Sequence, residues 1–167
     1  MIIETPRLRL RAFRRADIAS IVAGLNDWTV AQWLSRTPFP YAVTDAEAWL
    51  ADADRAHAGG RYAIADRISD DLIGAIGIEP DDVERELGYW LGADHWGKGL
   101  ASEAVGALVA AAFGTLGVRR LHATTDPDNA RSQRVLLKAG FRQIGAQPAD
   151  PPTRRGHTFR PLFERVS

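Results

Sequence analysis

Between His95 and Glu103 the chain reads His-Trp-Gly-Lys-Gly-Leu-Ala-Ser-Glu, which sets two glycines just ahead of a long apolar stripe. That spacing suits a phosphate group. Gly97 and Gly99 open backbone conformations closed to other residues, and a helix starting near Leu100 turns unpaired N–H groups and its positive dipole end toward the loop. A diphosphate would be held mainly by backbone amides. Lys98 at the loop tip either touches phosphate or stays solvated. Glycine loops also open helices as plain turns, so the surroundings must decide between the two readings.

The helix after the loop is defined by Ala101, Ala104, Val105, Leu108, Val109 and Ala112, which recur at the spacing of one buried face. Downstream, Arg119 to Thr125 reads as a strand, Asp126-Pro127-Asp128 as a turn, and Asn129 to Lys138 as a second helix. Gly140 closes that helix and Phe141 follows at once, the pattern of a left-handed cap with an apolar contact behind it.

In this order and at this separation, the two segments resemble the GNAT superfamily of acyl-CoA-dependent N-acyltransferases. The first motif of that family runs Q/R-x-x-G-x-G/A and the second runs N-x-x-S/A to K-x-G-F. The whole chain, from Thr5-Pro6-Arg7-Leu8-Arg9-Leu10-Arg11 onward, can be laid on it. That opening, with Glu86-Leu87-Gly88-Tyr89-Trp90-Leu91 and Trp96-Gly97-Lys98-Gly99, is similar to the branch holding the Rim-type ribosomal-protein N-terminal acetyltransferases. The resemblance implies a mixed α/β class. It describes residues 1–167 as a single acetyl-CoA-binding domain with a central, mostly antiparallel sheet, a splayed pair of parallel strands and flanking helices. Two positions depart from the pattern: Asp94 stands at the Q/R position, and Leu136 stands where many relatives carry a tyrosine that protonates the departing thiolate.

The resemblance also implies a site. The backbone of Tyr89, Trp90 and Leu91 would pair with the pantetheine arm, and one N–H there would face the thioester carbonyl. Trp96, Gly97, Lys98, Gly99, Leu100 and Ala101 would hold the diphosphate end, and Asn129 would bond to the arm. Trp90 and Trp96 are equally explained by burial, and Asn129 equally by capping its own helix. Glu86 is the expected base that takes the amine proton, with Glu84 facing the same side; a solvated acidic strand end is the alternative. With the tyrosine absent, Ser132 becomes the expected acid. Glu103 is read as structural, favouring its helix dipole. Trp28, Trp33 and Tyr41 wall the acceptor slot or belong to the core. The implied partners are acetyl-CoA as co-substrate and a primary amine, on a protein N-terminus or a small molecule. A monomer or homodimer is expected.

Composition excludes several other classes. Zero net charge gives no global field to recruit nucleic acid or an anionic membrane. Zero cysteines remove disulfides, thiolate metal sites and a cysteine nucleophile, and suit a reducing cytoplasm. His57, His95, His122 and His157 are scattered along the chain, so no metal site is expected. Arginines interrupt the N-terminal apolar residues, and no run reaches membrane-spanning length.

These chemical segments need a frame. Leu8 and Leu10, alternating with arginines, indicate a half-buried first strand; Ile18, Ile21, Val22 and Leu25 then mark a helix. Thr44-Asp45-Ala46-Glu47 fits a capping box for a helix carrying Trp49, Leu50 and Ala53, ended by Gly59-Gly60. Tyr62 to Ile78 reads as two strands joined at Ser69-Asp70-Asp71, and Pro80-Asp81-Asp82 turns into a strand from Glu84 to Leu91. Short connections make this block antiparallel, and the helix after Leu100 can return the chain parallel. Gln143 to Thr153 reads as a loop, and His157 to Glu164 as a last strand placed at an edge or broken by Pro161.

Two further functions stand beside the transferase. A noncatalytic CoA-binding or regulatory module fits the missing tyrosine. A dinucleotide-binding oxidoreductase is suggested by Gly97-Lys98-Gly99, but Ser102 occupies the third glycine position and the loop comes too late for the remaining βαβ units.

Overall fold

Alternation of period two in the middle of the chain builds an antiparallel meander from β3 (Arg61–Asp66), β4 (Leu72–Pro80) and β5 (Arg85–Leu91). The computed structural model describes residues 1–55, 60–80 and 85–167. His57, Gly59, the turn at Asp81-Asp82 and Glu84 lie outside these residues. The β3–β4 turn is set by Asp66, whose Oδ1 accepts from the backbone of Ile68 and Ser69, and by Asp70 in a left-handed conformation at φ 62°.

On the outer side of β3 lie β2 (Leu8–Arg11) and the short β1 (Ile3–Glu4), both antiparallel. Past β5, helix α4 (Leu100–Gly114) carries the chain to β6 (Arg120–Thr124), which runs parallel to β5. A crossover of this kind is what a parallel pair requires. After α5 (Ala130–Lys138), β7 (Arg142–Pro148) and β8 (Phe159–Val166) complete an eight-stranded sheet of order β1-β2-β3-β4-β5-β6-β8-β7.

The pleat sends alternate residues to opposite faces. On one face Leu8, Leu10, Tyr62, Ile64, Ile76 and Ile78 meet Val105, Leu108 and Val109 of α4 and Leu136 of α5. On the other, Ala63 and Leu72 meet Ile21 and Leu25 of α1 (Ile18–Leu25), which the short α2 (Trp28–Ala31) follows, with Trp49 and Leu50 of α3 (Val43–Arg55) packed alongside. Fully burying one such leucine or isoleucine stabilises by about 1.5–3 kcal/mol, so these two layers fix the sheet that carries the site. Among the described residues, no helix is long and apolar enough to cross a membrane.

Several local features depart from the sequence expectation. Arg11, placed on the polar side of β2, is 3% exposed and forks onto both Asp17 oxygens at 2.8 and 2.9 Å. Helix α3 is capped at Ala42, not Thr44: the Ala42 carbonyl accepts from Ala46, and Asp45 reaches back to the Ala42 N–H. Alanine has no oxygen to complete the box, so only its acidic half forms. The stretch expected as a loop from Gln143 forms strand β7, whose almost wholly exposed faces carry no apolar period to betray it. β8 is interior, between β6 and β7. Pro161 is tolerated because the β6 ladder stops at Thr124↔Leu162, so β8 has no partner on that side where the proline lacks its N–H.

Candidate active site

Gly97 at φ 75° and Gly99 at φ 78° turn the loop into α4, with Gly99 as a cap that supplies no side chain. Among the described residues, nothing accepts from the backbone N–H groups of Gly97 to Ser102; the first return bond is Glu103 N–H to the Gly99 carbonyl. A fifteen-residue helix thus presents its positive end and several open donors on one exposed loop. The loop is held from behind. Arg7 donates to the Lys98 carbonyl at 2.8 Å and pairs with Glu103, which also accepts from the Thr5 hydroxyl at 2.6 Å. Burial works against the Glu103 charge, yet the bonds from Thr5 and Arg7 hold its carboxyl below the usual range. The Glu103 carboxylate therefore ties β1–β2 to the loop through Arg7; among the described residues it accepts no bond from the loop backbone.

Strands β5 and β6 touch in register only at Glu86↔His122, then part. Beyond that bridge, β5 continues through Tyr89, Trp90 and Leu91, bonded to β4 on one side and, apart from the Leu91 carbonyl, open on the other. A cavity of about 1640 Å³ runs along the gap, wider than a single small ligand requires. Its lining brings together Glu86, Tyr89, Trp90, Leu91, Trp96, Gly97, Gly99, Leu100, Ala101, Asn129 and Ser132, which are far apart in sequence. Lys98 is exposed and outside the lining. The indoles have packing work of their own: Trp96 Nε1 donates to the Leu91 carbonyl at 2.8 Å beneath Arg131, and Trp90 lies so close to α1 that a Cβ at Gly24 would be 2.7 Å from its ring.

Two side-chain pairs stand in the gap. Glu86 Oε1 accepts from the Thr124 hydroxyl at 3.0 Å, and the Tyr89 and Ser132 hydroxyls lie 2.9 Å apart. Burial pushes the Tyr89 phenol up to about 12, with the Ser132 bond opposing, so it keeps its proton at neutral pH. Asn129 Oδ1 accepts from Ser132 N–H at 3.1 Å and caps α5, which aims the serine. Leu136 is buried in the core at 1% exposure and supplies no acid. The hydroxyls of Thr124 and Tyr89 are not legible as partners from sequence, because β6 brings Thr124 to Glu86 and α5 brings Ser132 to Tyr89.

Of the residues expected to wall an acceptor slot, Trp33 and Tyr41 line the cavity, whereas Trp28 packs outside it against Phe39 at 5.1 Å. Asn26 pins the segment before α3 by exchanging two hydrogen bonds with the Tyr41 backbone. Arg154, between β7 and β8, bonds to the Ala31 and Thr37 carbonyls and closes this wall. Asp126, Asp128 and His157 converge within 4.8 Å, a grouping that spacing along the chain does not reveal. Arg155 at 2.9 Å and His157 at 3.0 Å already occupy Asp128 Oδ2, so a cation would compete with both.

The model of the acetyltransferase (GNAT) domain matches residues 7–142. The chain belongs to the GNAT family. Its relatives include the uncharacterized N-acetyltransferase p20 of Bacillus licheniformis, 32% identical over 84% of this chain and 82% of that protein. A ribosomal-protein-serine acetyltransferase of Escherichia coli is 39% identical over 43% of this chain and 42% of its own. In fold, this GNAT domain is similar to the ribosomal L7/L12 alpha-N-protein acetyltransferase RimL in complex with coenzyme A, with TM-score 0.81, 19% identity and coverage of 99% and 98%. The mixed sheet with one parallel pair is the GNAT architecture, and the chain is an acetyltransferase by family.

Proposed function

We propose that this GNAT enzyme transfers the acetyl group of acetyl-CoA to a primary amine by direct attack on the thioester. One observation carries the reading: the gap past Glu86↔His122 leads from the open amides at Gly97–Ala101 to the Glu86–Thr124 and Tyr89–Ser132 pairs. The diphosphate rests on those amides, and the pantetheine arm lies along the free edge of Tyr89, Trp90 and Leu91. A β5 N–H steadies the negative charge that develops on the thioester oxygen, typically by a few kcal/mol.

The amine must be neutral to attack, and Glu86 takes its proton directly or through a water. Nitrogen bonds to the carbonyl carbon, the C–S bond breaks, and the thiolate takes the Ser132 hydroxyl proton. Tyr89 passes its own hydroxyl proton to Ser132 through their bond and is reprotonated from water, to which Glu86 releases the amine proton, so the relay is restored. The Asn129 side-chain N–H groups remain free for the arm while Oδ1 caps the helix. The absence of cysteine from the whole sequence supports a cytoplasmic place of work.

The test is thiol release from acetyl-CoA with a panel of amines: peptides of varied first residue, free amino acids, polyamines and aminoglycosides. Amine-dependent release is expected. Acetyl-CoA binding without release for every amine would leave a binding module and sink the transferase.

A further inference from the structure

Helix α5 carries a row of positive charge on its solvent side. Arg131, Arg134 and Lys138 stand three and then four residues apart, which puts them on one stripe of the helix, and all are exposed while Leu136 fills the core behind them. The helix holds no acidic residue. Among the described residues, Arg134 and Lys138 have neither a hydrogen bond nor an ion pair, and Arg131 has only its ring contact with Trp96, 5.2 Å from guanidinium to centroid. Glu103, on the first turn of α4, is already bound by Thr5 and Arg7. In a chain of zero net charge such a row is a local concentration.

The row starts beside the glycine loop. Trp96 leads into that loop, so its contact with Arg131 sets the first turn of α5 against the open amides of Gly97 to Ala101, and both wall the same cavity. From Arg131 the helix rises about 10 Å to Lys138, away from the Tyr89–Ser132 pair. The amides themselves suffice for a diphosphate. Three cations in line with them suit a second anion, set beyond the first and off the path of the reacting groups.

From this placement we infer that Arg134 and Lys138, with Arg131 at the loop end, hold the ribose 3′-phosphate of acetyl-CoA, which makes the enzyme selective for the complete nucleotide over thioesters that lack that group. The assignment rests on the transferase reading above and deepens it. CoA has anionic centres of two kinds: the diphosphate joining pantetheine to the ribose, and a monoester on the same ribose, close to doubly charged at neutral pH. An arginine fork meets two of the monoester oxygens and an ammonium meets the third.

The experiment measures, by calorimetry at low ionic strength, the affinities of CoA and 3′-dephospho-CoA, and in parallel thiol release from the two acetyl thioesters with an accepted amine. CoA is expected to bind at least about 10-fold more tightly, the scale of a charge-assisted hydrogen bond, and the ratio should shrink as salt rises. The two thioesters should share one kcat, because the row lies away from the reacting carbonyl. The double variant Arg134→Gln with Lys138→Gln should lose the preference while 3′-dephospho-CoA binds as before, which also checks that the variant is folded. Lys138 on the last turn of α5 favours the helix dipole as well, but that role would leave the ratio untouched. Equal affinity for the two nucleotides in the wild type, or an unchanged ratio in the double variant, overturns the inference and leaves the transferase standing. Binding of neither nucleotide to the wild type overturns the transferase reading and the subsite with it.

Discussion

Chemistry at single residues comes down to two short contacts. If Glu86 removes the amine proton, Glu86→Gln should lower kcat by about 10²–10⁴ while acetyl-CoA affinity holds. Residual turnover should climb with pH as the amine, with a free α-amino value near ~8, sheds its own proton. An unchanged pH profile would remove Glu86 from the role. Ser132→Ala should slow transfer and leave CoA bound; Tyr89→Phe should slow it less, because the serine hydroxyl remains and only its proton supply is cut. Equal loss in kcat and in CoA binding would make the pair structural. Glu86 and Ser132 were nameable from the family motifs, but Tyr89 was noted only for its backbone. Nothing near it in sequence announces that α5 sets a serine against its phenol.

Elements position these groups by close approach and by ties across long sequence separations. A Cβ at Gly74 would stand 2.2 Å from the Trp90 carbonyl, so Gly74→Ala should force β4 and β5 apart and cost about 1–3 kcal/mol by denaturant unfolding. The Glu103 tie has a pH signature. Its folded value lies below the unfolded carboxyl value of about 4.3, so the stabilisation is full above that value and lost as pH falls through the lower folded one. Acetyl-CoA binding should therefore weaken stepwise below about pH 4 in the wild type. Glu103→Gln should bind about 10-fold more weakly at neutral pH and lack that step. Helices α4 and α5 were legible because their apolar spacing and end signals are local: Asn129 opens α5 and Gly140 with Phe141 closes it as expected, with Phe141 N–H bonded to the Leu136 carbonyl and Gly140 N–H to Leu137. β7 was not, since an exposed edge strand needs no apolar alternation and its pairing comes wholly from β8.

Across the whole molecule, the parallel pair divides the sheet into a meander and a C-terminal three-strand block, with α4 and α5 spanning one face. Phe141, fully enclosed where α5 meets that block, is expected to cost about 3–5 kcal/mol as Phe141→Ala by thermal or denaturant unfolding. The class, the single crossover and the glycine loop that enters α4 could be read from sequence because motif order encodes them. The cavity wall around Trp33 and Tyr41 could not, because it is assembled from three distant pieces joined through Arg154, Asn26 and Arg160. The sheet's thinnest seam is also where the proposed reading lays the acetyl-CoA arm. A molecule lodged there would act as mortar between the two blocks, so saturating acetyl-CoA should slow amide exchange most along β5 and the start of α4, and less in β2 and β3.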